Sequence, residues 1–201
     1  MIRHLQLLML LVLTAGYPAF MSAEEAAADT TTGSEQVLDD SGQPEDAAPA
    51  SDDHTSIKVE FKLLNSDGKL VTQDDFRGKY LLLTFGYTHC EHICPTVLSD
   101  MARTLKGSTG TAGIFISVDT ERDTPTRTEE YASQFSEKIT GLSGSYEEVA
   151  AAANNFNVRY SITKTQNHYM VQHSSDIFYI GPDEQLIKIF TFNSLPPDLE
   201  K

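Results

Sequence analysis

Apolar positions from residue 57 onward follow two patterns, one that alternates along the chain and one that runs unbroken. Residues 57–61 (IKVEF) alternate as a half-buried strand does, and the polar residues 65–68 that follow predict a hairpin turn. Residues 80–87 (YLLLTFGY) and 114–118 (IFISV) are nearly continuous apolar runs, which are typical of strands buried on both faces of a sheet. We therefore predict a central sheet preceded by an extra N-terminal β-hairpin.

Helices are predicted in the intervals between these strands. Three segments have the helical pattern: residues 96–105, 126–135 and 146–156. Pro95 suits the first turn of the first helix. Residues 176–180 and 186–192 predict a second hairpin, at the end of the domain. This order predicts an α/β domain with a thioredoxin-like fold, in which a central mixed sheet is flanked by helices.

Residues 1–56 differ in composition from the rest of the chain. A basic start and a short apolar run predict that residues 1–23 are a signal peptide or an N-terminal anchor. Residues 24–56 contain ten acidic residues and no Lys or Arg, which favours an acidic disordered linker before a domain at residues 57–201. We therefore expect the protein to be exported, with this domain either in the periplasm or anchored to the inner membrane and facing the periplasm. The net charge of −14 argues against nucleic-acid binding, which requires clustered Lys and Arg.

The two cysteines of the chain, Cys90 and Cys94, fall where a buried strand is predicted to turn into a helix. Amides at a helix N-terminus stabilise a thiolate, and the spacing allows both sulfur atoms to point the same way. Two thiolates suit Cu(I), Zn(II) or reversible disulfide chemistry. A structural disulfide is the plainest alternative in an exported protein, but so short a loop constrains the unfolded chain little.

A third donor has to come from one of six histidines. His89 and His92 neighbour the cysteines, and His92 would form a cramped chelate. His173 precedes the predicted strand 176–180, and in a thioredoxin-like sheet the segment entering that strand packs beside the cysteine turn. His173 is therefore the best-placed third donor.

Four motifs in order resemble the Sco/SenC family of copper chaperones over residues 59–192. They are residues 75–80 (DFRGKY), residues 85–95 with both cysteines, residues 118–125 (VDTERDTP), and His173 with Ser174. The resemblance implies a thioredoxin fold that binds copper, as Cu(I) or Cu(II), through Cys90, Cys94 and His173. It also implies a role in assembling the dinuclear copper centre of cytochrome c oxidase, by delivering copper, by reducing cysteines, or by both.

The chain departs from the family pattern at a few positions. Residues 91–93 are Glu-His-Ile where the family often has Pro-Asp-Val, and Gln172 stands where Asp often precedes the histidine. Neither change removes a ligand, although both could alter affinity or partner choice. Asp119 and Arg122 either shape the surroundings of the site or form a surface ion pair.

The leading hypothesis is a monomeric copper metallochaperone, rather than an enzyme, that serves a copper-accepting oxidase subunit or another copper carrier. The alternative hypothesis is a thiol–disulfide oxidoreductase that uses Cys90 and Cys94 as a redox-active pair and needs no histidine. The cysteine pattern expected of a peroxiredoxin is absent from the sequence.

Overall fold

The computed structural model describes residues 57–199. The predictions for residues 1–23 and 24–56 therefore lie outside the described part of the chain. Among the described residues, no helix is both long enough and apolar enough to cross a bilayer. The strands and helices, in chain order, are β1 (Lys62–Leu64), β2 (Leu70–Thr72), β3 (Tyr80–Gly86), α1 (Ile93–Gly107), β4 (Thr111–Ser117), α2 (Pro125–Ser133), β5 (Ile139–Leu142), α3 (Tyr146–Asn155), β6 (Tyr160–Lys164), β7 (Tyr169–His173), β8 (Ile177–Ile180) and β9 (Leu186–Phe190).

A mixed five-stranded sheet forms the centre of the domain, with the strand order β5-β4-β3-β8-β9. The strands β3, β4 and β5 are parallel, whereas β8 and β9 run antiparallel to their neighbours. The apolar run of β3 is buried from its second residue onward, because the strand lies in the middle of the sheet and is covered on both faces. This arrangement agrees with the predicted fold class.

Each face of the sheet has its own apolar core. Leu82 and Phe115 face one side, where they pack with buried residues of α1 and α2. Leu83 and Ile114 face the other side, where α3 and part of β7 cover them. Because neighbouring residues of a strand point to opposite faces, one unbroken apolar run supplies both cores.

The helices on the two faces begin at well-formed caps. The side chain of Thr124 accepts a hydrogen bond from the amide of Arg127 at the start of α2, and Pro125 occupies the first helical position. Ser145 and Glu148 form a reciprocal capping box at the start of α3. These caps fix where the loops on either side of the sheet end.

The first predicted strand is in the wrong place. Residues 57–61 are not a strand, and the extra hairpin is built from β1 and β2 instead. The backbone of this segment finds partners outside any sheet. The amide of Lys58 donates to the carbonyl of Asn155, and that of Phe61 donates to the side chain of Gln73. Its alternating pattern reflects packing of Phe61 and nearby apolar residues on the core rather than strand pairing.

Three strands were not predicted, and two of them form a separate hairpin. The strand β5 is the edge of the central sheet, while β6 and β7 pair with each other antiparallel. His173 is therefore the last residue of a strand rather than part of a loop. The helix α1 also begins earlier than predicted, at Ile93, and so includes Cys94.

Candidate metal centre

The two cysteines lie at the junction between β3 and α1. Cys90 lies in the loop that follows β3, and its amide donates to the carbonyl of Tyr87 at 3.3 Å. Cys94 lies in the first turn of α1, and its amide points at the Sγ atom of Cys90 at 3.4 Å. The first amides of a helix have no partner within the helix, so this thiol satisfies one of them.

Gly86, the last residue of β3, makes room for Cys94. A Cβ atom added at this glycine would lie 2.9 Å from the Sγ atom of Cys94 and 2.7 Å from the ring of Phe115. Cys94 is only 3% exposed, because its side chain packs into this space at the end of the strand. The position of the Cys94 sulfur atom therefore depends on the absence of a side chain at residue 86.

His173 brings its imidazole to the same place from β7. Its Nε2 atom lies 3.6 Å from the Sγ atom of Cys94, and its Nδ1 atom lies 2.7 Å from the carbonyl oxygen of Ser174. A carbonyl can only accept a hydrogen bond, so Nδ1 carries the proton and Nε2 presents its lone pair to the cysteines. Tyr87 packs edge-on against the ring, with 5.7 Å between the ring centroids.

Burial and backbone amides set different protonation states for the three groups. Burial raises the pKa of the Cys94 thiol far above its usual value. Partial burial also opposes ionisation of Cys90, but hydrogen bonds led by the Cys94 amide outweigh it and lower the pKa of the Cys90 thiol. Burial lowers the pKa of His173, which keeps its imidazole neutral at pH 7.

The nearby tyrosine responds to the same surroundings. Burial, followed by the charge of Cys90, raises the pKa of Tyr87 to about 12. The hydroxyl of Tyr87 therefore stays protonated at neutral pH.

The donor set fits a soft metal ion. The Sγ atoms of Cys90 and Cys94 and a ring nitrogen of His173 all lie within 4.8 Å of one another. Two sulfur donors and one neutral imidazole suit Cu(I) or Zn(II) better than a hard cation such as Mg²⁺. The two sulfur atoms are also neighbours, which keeps reversible disulfide chemistry open as an alternative use of the pair.

Comparisons with known proteins identify the family to which the chain belongs. The family model described as SCO1/SenC matches residues 49–200. The chain belongs to the SCO1/SenC family. This finding confirms the resemblance that the sequence motifs indicated.

Among curated SCO1/SenC relatives, the protein sco1 of Schizosaccharomyces pombe is 36% identical over 150 residues, which cover 70% of this chain and 57% of that protein. The mitochondrial SCO1 homolog 1 of Arabidopsis thaliana is 37% identical over 139 residues, which cover 66% of this chain and 42% of that protein. The chain thus spans about half the length of these relatives.

Solved structures of the family share the fold. ScoI of Arabidopsis thaliana with copper bound matches with a TM-score of 0.62 and 36% identity, over 67% of this chain and 87% of that one. ScoI of Bradyrhizobium japonicum with copper bound matches with a TM-score of 0.63 and 34% identity, over 70% and 93%. BsSco, described as having a disulfide switch and as a member of a family of cytochrome c oxidase assembly proteins, matches with a TM-score of 0.56 and 27% identity, over 71% and 88%. The predicted thioredoxin-like fold is confirmed.

Within this SCO1/SenC domain a second cluster, formed by His89, Asp119 and Asp123, also has side-chain atoms within 4.8 Å of one another. Its carboxylates already have partners. Asp123 accepts hydrogen bonds from the amide and hydroxyl of Thr88 at 2.7 and 2.6 Å, and from the hydroxyl of Ser117 at 2.6 Å. This cluster braces the cysteine loop rather than offering free ligand atoms.

Among residues 57–199, the histidines other than His173 contribute no atom to the cluster formed with Cys90 and Cys94. The ring nitrogens of His89 lie 3.3 Å from the hydroxyl of Thr88 and 3.2 Å from the guanidinium of Arg127. His92 is exposed at the start of α1 and belongs to neither cluster of the described residues. His168 is exposed in the turn between β6 and β7.

Sequence reasoning missed how the site is supported. The roles of Gly86 and Thr88 were not predicted, and Asp123 was noted only as part of a motif. A usable signal did exist, because β3 and β4 are parallel neighbours and their carboxyl ends meet at one edge of the sheet. Polar residues that follow β4 should therefore reach the loop that follows β3.

Proposed function

We propose that this protein is a copper metallochaperone that binds one copper ion through Cys90, Cys94 and His173. The observation that carries the proposal is the convergence of two sulfur atoms and one imidazole nitrogen within 4.8 Å. The copper-bound structures of family members from Arabidopsis thaliana and Bradyrhizobium japonicum support the choice of metal.

The surroundings of these three groups suit the binding of a soft cation. Copper supplies a centre that favours thiolate and imidazole donors together. Both thiols must lose a proton on binding, and the amides at the start of α1 stabilise the resulting negative charge near Cys90. His173 needs no such step, because its neutral imidazole already presents Nε2 to Cys94.

Membership of the family supports a proposal for the recipient of the metal. Because BsSco is described as a member of a family of cytochrome c oxidase assembly proteins, we propose that copper passes to a copper-accepting oxidase subunit or to another copper carrier. We also propose that the protein acts as an exported monomer, either free in the periplasm or tethered by its N-terminal segment.

Copper loading of the full chain tests the ligand set. The reduced protein is loaded anaerobically, and its metal content and absorption spectrum are compared with those of Cys90→Ala, Cys94→Ala and His173→Ala. We expect one copper per chain in the parent and weaker binding in each variant. His168→Ala is the matched control, because it removes an exposed histidine from the same hairpin.

Two results would contradict the proposal. If Cys90→Ala and His173→Ala bind copper as tightly as the parent, the proposal of a copper metallochaperone is wrong. If an unchanged thiolate-to-copper absorption band survives the loss of His173, the three-ligand site fails.

A second candidate function is thiol–disulfide exchange, which the asymmetry of the two thiols favours. Cys90 is partly exposed with a lowered pKa, as an attacking thiol requires, while Cys94 is buried behind it. In that reaction the Cys90 thiolate attacks a substrate disulfide and releases one substrate thiol. Cys94 then attacks the mixed disulfide, which releases the second thiol and leaves Cys90 and Cys94 oxidised. Exchange that is unaffected by His173→Ala would separate this activity from copper binding.

A further inference from the structure

The histidine of the proposed site is carried by an element separate from the one that carries the cysteines. Among the described residues, β6 and β7 pair only with each other and are not part of the central sheet. The cysteines, in contrast, follow β3, which is the middle strand of that sheet. The chain ties His173 to β8 at one end of the hairpin, but backbone pairing does not fix the other end.

The loop formed by residues 119–123, which we call the clasp loop, holds this hairpin by side-chain contacts. The hydroxyl of Tyr169, the first residue of β7, donates a hydrogen bond of 2.6 Å to Asp119. The other oxygen of Asp119 accepts from the guanidinium of Arg122. That guanidinium lies 3.8 Å from the centre of the Tyr169 ring, so Tyr169 is held through both its ring and its hydroxyl.

The opposite end of the clasp loop holds the cysteine loop. Asp123 binds the amide and the hydroxyl of Thr88, two residues before Cys90. Its carboxylate is fully buried, as is that of Asp119. A buried carboxylate keeps its position only when its hydrogen bonds are satisfied, so both ends of the loop are fixed.

We propose that Asp119, Arg122 and Tyr169 are positioning residues that hold His173 at ligating distance from the cysteine pair. Tyr169 and His173 lie four residues apart on the same face of β7, because side chains alternate along a strand. Fixing Tyr169 therefore restrains the strand that orients the imidazole. This inference rests on the proposed copper site and adds to it the residues that set its third ligand.

A purely structural role for the same contacts makes a different prediction. If Asp119, Arg122 and Tyr169 only stabilised the fold, weakening them would lower stability without any effect that depends on His173. If they position the imidazole, weakening them reduces the fraction of molecules in which all three donors are in place. The apparent affinity for copper then falls in proportion to that fraction.

Tyr169→Phe is the decisive variant, since it removes the hydroxyl but keeps the ring beneath Arg122. We expect Cu(I) affinity, measured by competition with a chromogenic Cu(I) chelator, to fall by up to about tenfold. That is the factor by which losing a hydrogen bond to a charged group shifts the ratio of molecules that hold the imidazole in place to molecules that do not. In the metal-free protein, we expect amide hydrogen exchange in β6 and β7 to become faster. Tyr80→Phe is the matched control, because it removes an exposed tyrosine hydroxyl at the start of β3, far from the cysteine end of that strand, and leaves the bond between Tyr169 and Asp119 in place.

A double-mutant cycle with His173→Ala shows whether the effect passes through the histidine. We expect Tyr169→Phe to cause no further loss of affinity in a chain that already lacks His173. The positioning role is overturned if Tyr169→Phe lowers copper affinity equally in the parent chain and in the His173→Ala chain. It is also overturned if Tyr169→Phe leaves both copper affinity and hydrogen exchange as they are in the parent. Neither result affects the proposed ligand set. If His173→Ala itself binds copper as tightly as the parent, the proposed ligand set is overturned, and the positioning role falls with it.

Discussion

A single methyl group at residue 86 should disturb the proposed metal centre more than the rest of the fold. In Gly86→Ala the new Cβ atom would lie 2.9 Å from the Sγ atom of Cys94 and 2.7 Å from the ring of Phe115. Phe115 is fully buried, and its ring packs against Tyr131 at 5.6 Å, so it has little room to retreat. Cys94 lies in the first turn of α1 and belongs to the proposed site, so the sulfur atom of the site is the group that has to move.

The size of this movement follows from ordinary contact distances. Reaching a normal contact of about 3.5 Å from 2.9 Å moves the sulfur by about 0.6 Å. That shift is well outside the ±0.2 Å within which metal–ligand distances normally fall, so we expect copper affinity to drop about tenfold or more. Overpacking lowers the free energy of unfolding by about 1–3 kcal/mol, whereas replacing a strand glycine with alanine raises it by about 0.5–1 kcal/mol.

Gly113→Ala provides the control that this prediction needs. Its Cβ atom would lie 2.8 Å from Ile139 and 2.9 Å from Leu105, a similar crowding in the core away from the cysteines. Urea unfolding of the reduced, metal-free chains measures the stability of both variants, and chelator competition measures their copper affinity. We expect both variants to lose stability but only Gly86→Ala to lose affinity. If Gly86→Ala binds copper as well as Gly113→Ala does, the steric reasoning is wrong.

Three further predictions test the surroundings of the site. Iodoacetamide should label Cys90 at a lower pH than Cys94, because the Cys90 thiol has the lower pKa and the greater exposure; equal labelling of the two residues, located by fragmentation of the tryptic peptide 80–103 that holds both, would contradict this. Thr88→Val should cost about 1–3 kcal/mol in urea unfolding by leaving a buried oxygen of Asp123 without its donor, whereas Thr88→Ser should behave like the parent. Ser145→Ala should cost about 1 kcal/mol by removing the cap of α3, with copper affinity unchanged in the same chelator assay.

The central sheet could be predicted because its strands bury apolar side chains on both faces. The runs of β3 and β4 reveal their location whatever surrounds them, and the position of the cysteines after β3 follows directly. The hairpin of β6 and β7 was missed for the opposite reason. In these two strands only Val171 is buried, and neither strand has the unbroken apolar run that marks β3 and β4.

The start of α1 shows how a correct local rule can still misplace a boundary. Pro95 was expected to open the helix, and the structure places it third, after Ile93 and Cys94. A proline is tolerated throughout the first turn, because none of the first amides has a partner within the helix. The two earlier residues matter, since they bring Cys94 into the helix and its amide to Cys90.

His173 could not be derived from periodicity at all. It lies 79 residues from Cys94 along the chain, and nothing in the pattern between them encodes a contact of 3.6 Å. The predicted fold placed the segment before strand 176–180 beside the cysteines, which favoured His173 over the other histidines. The resemblance to the family motif then supported the same residue. The contacts of the clasp loop were harder to predict, because they connect residues 119–123 to the cysteine loop and to β7 through buried polar groups. Charged and polar residues such as Asp119 and Asp123 are usually exposed, so the sequence gives no sign that they are buried.

The four positions at which the chain differs from the usual family residues lie on the surface around the proposed metal centre. Glu91, His92 and Ile93 are all exposed between the cysteines, and Gln172 is exposed beside His173. None of their side chains holds the three donors in place, since the side-chain and packing contacts come from buried groups such as Gly86 and Asp119. The backbone amides of His92 and Ile93 do hydrogen-bond Cys90, but an amide remains at both positions when the side chains are changed to Asp and Val. Changes at these four positions therefore alter what a docking protein meets around the metal more than how the metal is held. A swap of residues 91–93 to Pro-Asp-Val should leave copper affinity near the parent's while changing the rate of transfer to a copper acceptor.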